Sequence, residues 1–421
     1  MKNFVKNYAM PAALLLSVVV GGVIGIIMGP GASALEPLGQ IFLNLIFTLI
    51  VPLVFFSVTS SIANMGEMKR LGKIMLSILL VFAVTAILSA VISIISVFIV
   101  NPTEGLGEDT IHSILQDAEG EASGASESLS LPWQLVKTVT VGDFSALFSK
   151  SNLLQLIVIS VICGIAINMA GEKAKAFRDF LNAGSAVIMK MIKIIMYYAP
   201  IGLTCYFASI IGQLGTQILE GYLKVFIMYM ILSVIYYFGF FSIYAYVAAG
   251  KAGVKAFWKN AIAPAVTALA TCSSAATIPV NLESCKKIGI PDGIAETVVP
   301  LGVNTHKDGS VIGGVFKVVF LFGLFGMDYK SIPMLLSVLA VSLLVGAVMG
   351  AIPGGGMIGE MLILSVYGFP PAALPVIAVI STIIDAPATL LNSSGNTVCA
   401  MIVARIVDGK NWLLNRNNTS N

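Results

Sequence analysis

Apolar runs long enough to cross a lipid bilayer recur along the first part of the chain. They lie at about 10–29, 37–64, 74–100, 152–170, 181–211 and 221–249. About 20 apolar residues in an α-helix span a hydrocarbon core about 30 Å thick. The 421-residue chain is 57% hydrophobic and only 11% charged, so lipid must surround most of it. These features predict an all-α integral membrane protein that crosses the bilayer many times.

Charged residues are distributed unevenly between the ends of these runs. Basic residues precede the first run, follow the second, fourth and sixth, and end the chain: Lys2, Lys6, Lys69, Arg70, Lys73, Lys173, Lys175, Arg178, Lys251, Lys255, Lys259, Arg405, Lys410 and Arg416. Segment 101–131 contains acidic residues and neither Lys nor Arg. Because basic residues concentrate in cytoplasmic loops, we expect both termini in the cytoplasm and an extracellular acidic loop at 101–131. The net charge of +3 then reflects topology, and nothing supports a nucleic-acid partner.

Two segments, about 256–288 and about 333–364, are interrupted where a spanning helix would be continuous. The first contains a Thr-Cys-Ser-Ser-Ala-Ala-Thr stretch at 271–277, and the second contains Gly-Ala-Ile-Pro-Gly-Gly-Gly at 350–356. Non-helical backbone at membrane depth is tolerated only inside protein or beside water. The sequence therefore predicts two re-entrant hairpins that enter from opposite sides, as in an inverted repeat. Two ordinary but poor spans are the alternative.

A charged stretch at 304–310, Asn-Thr-His-Lys-Asp-Gly-Ser, lies near the middle of the apolar segment at about 293–326. A charge at bilayer depth costs about 2.5–3.5 kcal/mol, so such side chains usually face a cavity, a partner or a pathway. The helix is expected to weaken here at its glycines, Gly309, Gly313 and Gly314. Charged, interrupted helices at the midplane form the binding sites of transporters. A buried salt bridge of Lys307 with Asp308 or another acid, serving stability alone, is the alternative.

A polar stripe follows in the last apolar segment. Ser381, Asp385, Thr389, Asn392 and Asn396 are spaced by three or four residues, which places them on one face of an α-helix. A carboxylate at Asp385 can hold an ammonium group, and the hydroxyl and amides can bond a carboxylate. This pattern favours a site for a small polar ligand. A polar seam between helices is the alternative.

With these residues in view, the chain resembles the dicarboxylate/amino acid:cation symporter family, the glutamate-transporter homologues. The resemblance rests on the serine-rich residues 273–279, on Pro300-Leu301-Gly302 before Asp308-Gly309-Ser310, on residues 352–356, and on Asp385, Thr389, Asn392 and Gly395. It implies eight transmembrane helices, two re-entrant helical hairpins and a homotrimer in the cell (inner) membrane. It also implies an elevator mechanism, in which a transport domain moves against a trimeric scaffold. Such a protein is a transporter and not an enzyme.

The resemblance also implies domain boundaries. Residues 1–72 correspond to scaffold helices one and two, 73–100 to helix three of the transport domain, 101–131 to the acidic loop, and 132–215 to scaffold helices four and five. Residues 216–421 complete the transport domain and end in a cytoplasmic tail. They comprise helix six, hairpin one (about 256–288), helix seven (about 293–326), hairpin two (about 333–364) and helix eight (about 371–408).

Site residues carry over from the resemblance position by position. The substrate-binding candidates are Ser273, Ser274, Thr277, Pro353, Gly354, Gly355, Asp385, Thr389 and Asn392. The candidates for the coupling ion, or for a charge that replaces it, are Gly302, Asn304, His306, Lys307, Asp308 and Asn396. Sodium is the metal ion that the resemblance implies, with Asp308 and Asn392 as its candidate ligands. The resemblance implies no organic cofactor, and the coupling ion is expected to be a proton or sodium.

Three departures from the family pattern bear on the substrate and the coupling ion. Where the family typically has Asn-Met-Asp-Gly-Thr, residues 306–310 are His-Lys-Asp-Gly-Ser. Asn396 replaces an aspartate that commonly binds sodium, and Ala388 replaces an arginine that pairs with acidic side chains. Because Asp385, the partner of the substrate amino group, is present, we expect a small neutral amino acid as substrate. Lys307 would repel sodium, so proton coupling is the leading hypothesis.

Alternative functions remain open from the sequence alone. A dicarboxylate or acidic amino acid could be the substrate instead of a neutral amino acid. A passive channel would conduct without saturating, which the occluding hairpins and the polar stripe disfavour. An intramembrane hydrolase could combine Ser273 or Ser274 with His306 and Asp308, because these residue types form catalytic triads. The serines lack the Gly-x-Ser-x-Gly context of such a nucleophile.

Overall fold

Helices are the regular elements of the part of the chain that the structure describes. The computed structural model describes residues 2–64, 72–102, 140–149, 152–214, 217–349, 355–370 and 373–413. The first helices are α1 (Lys2–Met28), α2 (Glu36–Asn64), α3 (Gly72–Ile99), α4 (Leu153–Ala170), α5 (Lys175–Ile195), α6 (Ala199–Leu214) and α7 (Gln217–Val234). They are followed by α8 (Phe241–Asn260), α9 (Ile262–Thr271), α10 (Ser274–Ile288), α11 (Asp292–Thr305), α12 (Asp308–Leu324), α13 (Ile332–Val348), α14 (Gly355–Tyr367) and α15 (Leu374–Asp408).

Several helices have the length and apolar composition that a bilayer requires. Five segments of the described residues qualify: Leu16–Phe42, Lys73–Ile99, Gln155–Ile195, Leu219–Asn260 and Val376–Asp408. Large apolar side chains on the outer faces are exposed, such as Leu76 and Leu79 on α3. In water these faces would be unfavourable, whereas lipid solvates them. The predicted all-α membrane class is confirmed, while eight spanning helices and two re-entrant hairpins stay predictions.

The helices pack in two groups. In the first group α1, α2, α4, α5 and α6 pack mainly against one another. In the second group α12 and α15 lie at the centre and are surrounded by α3, α7, α8, the pairs α9–α10 and α13–α14, and α11. Contacts between the groups are sparse and include α4 with α14 and α1 with α9. The charged stretch therefore lies inside the second group.

The segment predicted as hairpin one folds as a pair of short helices that contact each other. The chain turns at Cys272, whose backbone is left-handed with φ 46°, and at Ser273, whose hydroxyl accepts a hydrogen bond from the Ala276 N–H at 3.3 Å. This N-cap explains why a serine begins α10. At a rise of 1.5 Å per residue, α9 is about 15 Å long and α10 about 22 Å. Each is too short to span a bilayer.

The chain before this helix pair contains an additional break. Ala249 and Gly250 have non-helical backbone angles within α8, several residues before the boundary predicted near 256. The Arg405 side chain donates to the Val247 carbonyl at 2.5 Å, and the Trp412 indole donates to the Ala248 carbonyl at 3.0 Å. The last turn of α15 and the residues after it thus supply the donors that the broken helix lacks.

The segment predicted as hairpin two also folds as two helices, α13 and α14, which pack against each other. Between them, residues 350–354 lie outside the described residues, so Pro353 and Gly354 have no structural account. Gly355 is the first residue of α14. The predicted acidic loop lies outside the described residues beyond residue 102.

The predicted seventh spanning helix is divided at His306 and Lys307. Both residues have non-helical backbone: His306 is extended, with φ, ψ of −120°, 108°, and Lys307 has φ, ψ of −143°, 70°. The break precedes the glycines that were expected to weaken the helix, and all three of those glycines lie inside α12. They serve close packing instead. A Cβ on Gly309 would lie 2.5 Å from the Ala388 carbonyl oxygen, so α12 and α15 approach closely there.

Candidate functional site

The His306 side chain is buried at the break between α11 and α12, with 1% of its surface exposed. Its ring stacks on Phe82 of α3, with centroids 4.4 Å apart. Nε2 lies 2.7 Å from the Thr85 hydroxyl, and Nδ1 lies 3.1 Å from Oδ1 of Asn396. Elements from α3, the break and α15 thus converge on one imidazole.

Asp308 is the acid of the same cluster. It is fully buried, and its Oδ1 lies 3.1 Å from His306 Nε2. The Tyr236 hydroxyl donates a hydrogen bond to Oδ2 at 2.8 Å. Apart from this approach of the ring, Oδ1 has no hydrogen-bond partner among the described residues. We call Thr85, Tyr236, His306, Asp308 and Asn396 the histidine cluster.

A π-helical segment positions Tyr236. Residues Ile235–Phe240 between α7 and α8 form this segment, and it places the Tyr236 ring, which is fully buried, beside α3 and α12. π-helical insertions are uncommon and occur frequently at functional sites. The Tyr236 hydroxyl also lies 3.1 Å from the Tyr244 hydroxyl, which continues the hydrogen-bonded chain.

The chemistry of the histidine cluster suits a proton better than a metal ion. As the amide of Asn396 is oriented, both ring nitrogens of His306 face oxygen atoms. A doubly protonated imidazole could donate on both sides in this arrangement. Sodium is a hard cation that needs several oxygen ligands. The ring lies 3.1 Å from Oδ1 of Asp308, the carboxylate that was predicted as a sodium ligand.

Asn392 joins α15 to the start of α12. Its Oδ1 accepts the Ser310 N–H at 3.2 Å, and its Nδ2 donates to the Ser310 hydroxyl at 3.1 Å. One turn further along α15, Asn396 approaches Gly302 so closely that a Cβ there would lie 2.1 Å from Oδ1. The predicted candidates Gly302, Asn392 and Asn396 therefore lie together against the break.

Asp385 lies on the polar stripe one turn after Ser381, away from Asn396, and is exposed. It interacts electrostatically with the ammonium groups of Lys307 and Lys317 and hydrogen-bonds with Thr389. Lys307 itself is buried. A carboxylate in this position can bind a cationic group of a ligand in competition with these resident lysines.

The first turn of α10 packs against α15. Ser274 and Thr277 are buried, and the Thr277 hydroxyl donates to the Ser274 carbonyl at 2.6 Å. Asn281, one turn further along, donates to the Ser393 carbonyl at 3.0 Å and accepts from the Thr397 hydroxyl at 3.2 Å. These contacts hold the serine-rich turn beside the polar stripe.

One predicted coupling residue is exposed, whereas the other five are buried. Asn304 is exposed, and its Nδ2 donates to the Pro300 carbonyl at 3.2 Å within its own helix. The resemblance predicted that it belongs to the same site as Asp308. The non-helical backbone at residues 306–307 separates α11, which carries Asn304, from α12, which carries Asp308.

A second charged cluster was not predicted from the sequence. The Lys317 ammonium lies 3.3 Å from Oε1 of Glu360 and 2.5 Å from the Ser381 hydroxyl. The two charged side chains are 2% and 1% exposed. Each is a single charge in an apolar segment, which is the signal that could have identified them. Thr85 and Tyr236 gave no such signal.

Comparison with known proteins agrees with this architecture. The profile of the sodium:dicarboxylate symporter family matches residues 10–406. The chain belongs to this family. The symporter is therefore a membrane transporter and not an enzyme, which sets aside the hydrolase alternative. Membership of this family also disfavours a passive channel, because a symporter couples the flux of its substrate to the flux of an ion.

Several curated relatives match the symporter over nearly its whole length. A proton/sodium-glutamate symport protein of Bacillus caldotenax is 26% identical over 404 residues, which cover 93% of this chain and 94% of the relative. A C4-dicarboxylate transport protein of Bacillus subtilis (strain 168) is 25% identical over 403 residues, covering 93% and 92%. C4-dicarboxylate transport protein 1 of Ralstonia nicotianae is 28% identical over 401 residues, covering 93% and 90%.

Proposed function

We propose that the symporter carries a small neutral amino acid across the cell membrane together with protons. The observation that carries the proposal is the histidine cluster. A titratable ring lies in it at a fully buried position and contacts a carboxylate, a hydroxyl and an amide. Histidine is the side chain best suited to bind and release a proton near neutral pH. The names of the relatives include proton-coupled symporters, which supports this choice of ion.

The balance of charges within the second helix group also supports proton coupling. Lys307 and Lys317 contribute two ammonium groups. Asp308, Asp385 and Glu360 contribute three carboxylates to the same region. The described side chains around the site therefore leave one uncompensated negative charge, which one proton on the histidine ring would neutralise. Movement through a low-dielectric interior is least costly for a neutral site, so proton binding would favour translocation.

The substrate proposal rests on Asp385 and on its neighbour Ala388. Asp385 is accessible and lies on the face of α15 that carries Thr389. The substrate ammonium would pair with Asp385, and its carboxylate would meet the serine-rich turn before α10. Ala388 provides no cation for a second carboxylate. A neutral amino acid would therefore match the charges of the site.

Movement of the second helix group against the first is proposed as the transport step. The contacts between the two groups are sparse, while Asp385 and the histidine cluster lie within the second group. The first group would form a homotrimeric scaffold. Both termini would face the cytoplasm, because the basic residues of the chain concentrate on that side.

An acidic amino acid or C4-dicarboxylate is the second candidate substrate. Lys307 favours it, because this buried ammonium interacts with Asp385 and could pair with a substrate carboxylate in place of the missing arginine. Relatives named for glutamate and C4-dicarboxylate transport support the same candidate.

Binding of a panel of neutral amino acids, acidic amino acids and C4-dicarboxylates to the purified symporter tests the substrate. Removing one partner of a buried charge pair costs about 3–5 kcal/mol, so Asp385→Asn should weaken binding of a neutral amino acid by more than about a hundredfold. Asp328→Asn, the same change at an exposed site, is the control and should leave binding unchanged. Ala388→Arg should shift preference towards acidic substrates.

Near-normal affinity of Asp385→Asn for an amino acid would contradict the amino-acid proposal. Binding of a C4-dicarboxylate by this variant would support the second candidate instead. In that case Lys307→Met should remove dicarboxylate binding.

A further inference from the structure

The ion pair of Lys317 and Glu360, together with Ser381, joins three helices of the second group. Lys317 lies on α12, Glu360 on α14 and Ser381 on α15. The Ser381 hydroxyl donates to Oε1 of Glu360, the same oxygen that faces the lysine at 3.3 Å. All charged atoms of the pair are buried. The pair is therefore the charged contact that holds the second arm of α13–α14 against the core.

The Lys317 ammonium also lies within reach of Asp385. Ser381 and Asp385 are four residues apart on α15, so their side chains are neighbours about 5–6 Å apart on one face. The ammonium already contacts Ser381 at 2.5 Å and interacts electrostatically with Asp385.

The attachment of Lys317 to Glu360 is incomplete, which permits exchange. Only Oε1 of Glu360 is bonded, and the buried Oε2 has no hydrogen-bond partner among the described residues. A carboxylate held through two oxygens would bind its partner more firmly. Lysine has a flexible four-carbon stem and three equivalent donors, so it can turn from one carboxylate to another.

We propose that Lys317 is a shared counter-ion of Glu360 and Asp385, which pairs with Glu360 when a substrate ammonium is bound at Asp385 and joins Lys307 at Asp385 when none is bound. The inference deepens the proposed function, because a substrate ammonium would be the group that compensates Asp385. Substrate binding would then return Lys317 to Glu360 and fasten α14 to α12. An empty site would release α14. Lys317 is thus a positioning residue that links occupancy to the closure of this helix pair.

Hydrogen exchange of the α14 amides tests the inference without any substrate. Exchange of amides in Gly355–Tyr367 of the full-length protein in nanodiscs reports how often this arm opens. Asp385→Asn removes the competing carboxylate, so Lys317 should remain on Glu360. Hydrogen exchange in α14 should then slow by about tenfold, which is within the range of coupling energies between contacting residues. The decisive comparison repeats Asp385→Asn in a Lys317→Met/Glu360→Gln background. There it should have no effect on α14.

Lys317→Met alone would leave the buried Glu360 carboxylate unpaired and could prevent folding. The double replacement removes both charges, so the background protein keeps no unpaired charge at this position. The control is Lys287→Met/Glu283→Gln, which removes an ion pair of 2.7 Å whose side chains are 61% and 64% exposed. It should leave α14 exchange unchanged. Unchanged exchange in Asp385→Asn, or equal slowing without Lys317, would overturn the shared counter-ion. Neither result depends on which substrate the binding panel identifies.

Discussion

Replacement of Tyr236 by phenylalanine should shift the pH dependence of transport. The Tyr236 hydroxyl donates a 2.8 Å hydrogen bond to Asp308, and both side chains are fully buried. The substitution removes this donor and keeps the ring, which stacks on Phe240 with centroids 5.1 Å apart. The ionised carboxylate therefore loses a partner, while the packing around it is preserved.

The magnitude follows from the charge on Asp308. Hydrogen bonds to charged groups contribute about 1.5–3 kcal/mol, and a change of about 1.36 kcal/mol between protonation states corresponds to one pH unit. Asp308 accepts this bond whether or not His306 carries a proton, so only part of that energy distinguishes the two protonation states. Without the tyrosine donor, the carboxylate charge acts more strongly on the protonated ring. The midpoint of proton-dependent uptake should therefore rise, by less than the roughly one to two pH units that the whole bond represents.

The measurement is uptake into proteoliposomes between pH 5 and pH 9, with the amino acid that the binding panel identifies. Tyr229→Phe is the matched control, because its hydroxyl donates at 2.8 Å to the uncharged Gly309 carbonyl from an equally buried position two turns earlier. It should lower stability slightly and leave the midpoint in place. Equal midpoints in both variants and the parent protein would refute the role assigned to Asp308.

Further predictions concern packing, coupling and topology. Gly309→Ala should destabilise the protein by about 1–3 kcal/mol, because the new Cβ would lie 2.5 Å from the Ala388 carbonyl oxygen. Gly293→Ala, with no atom within 4 Å, should not lower the melting temperature. Lys307→Met should change the pH profile of uptake more than the substrate KM. Cysteines introduced in 101–131 should react with an impermeant reagent in intact cells, and labelling only after permeabilisation would reverse the proposed topology.

A helix break could be predicted from the sequence where a local signal, such as an N-cap residue, marks it. The turn at Cys272–Ser273 lies within the polar stretch 271–277, because a serine N-cap is a local signal. Division of the seventh predicted helix at residues 306–307 was not anticipated, since neither His nor Lys is a helix breaker. The glycines that follow were interpreted as weak points. They instead permit close contact with α15, and contact partners cannot be read from local sequence.

The histidine cluster shows the limit of pattern reasoning. His306, Asp308 and Asn396 were predicted as a group from spacing and resemblance, and the structure brings them together. Thr85 and Tyr236 come from segments more than sixty residues away in sequence, in uniformly apolar surroundings. Polar residues of that kind are common in membrane helices, so only the tertiary fold identifies these two.

Lys317 and Glu360 could have been predicted from the energetic cost of burial. Each stands alone among apolar residues at a depth where an unpaired charge is unfavourable. That argument requires a partner of opposite charge but does not identify it. The pairing became clear only when α14 was found packed beside α12.

Uptake under controlled ion gradients tests proton coupling most directly. Proteoliposomes containing the purified symporter are assayed with choline in place of sodium at fixed pH, and then with an inward proton gradient. The histidine cluster predicts that uptake persists without sodium and increases when the proton gradient is imposed. Uptake that disappears without sodium and does not respond to the proton gradient would contradict the account, leaving His306 as a structural partner of Asp308.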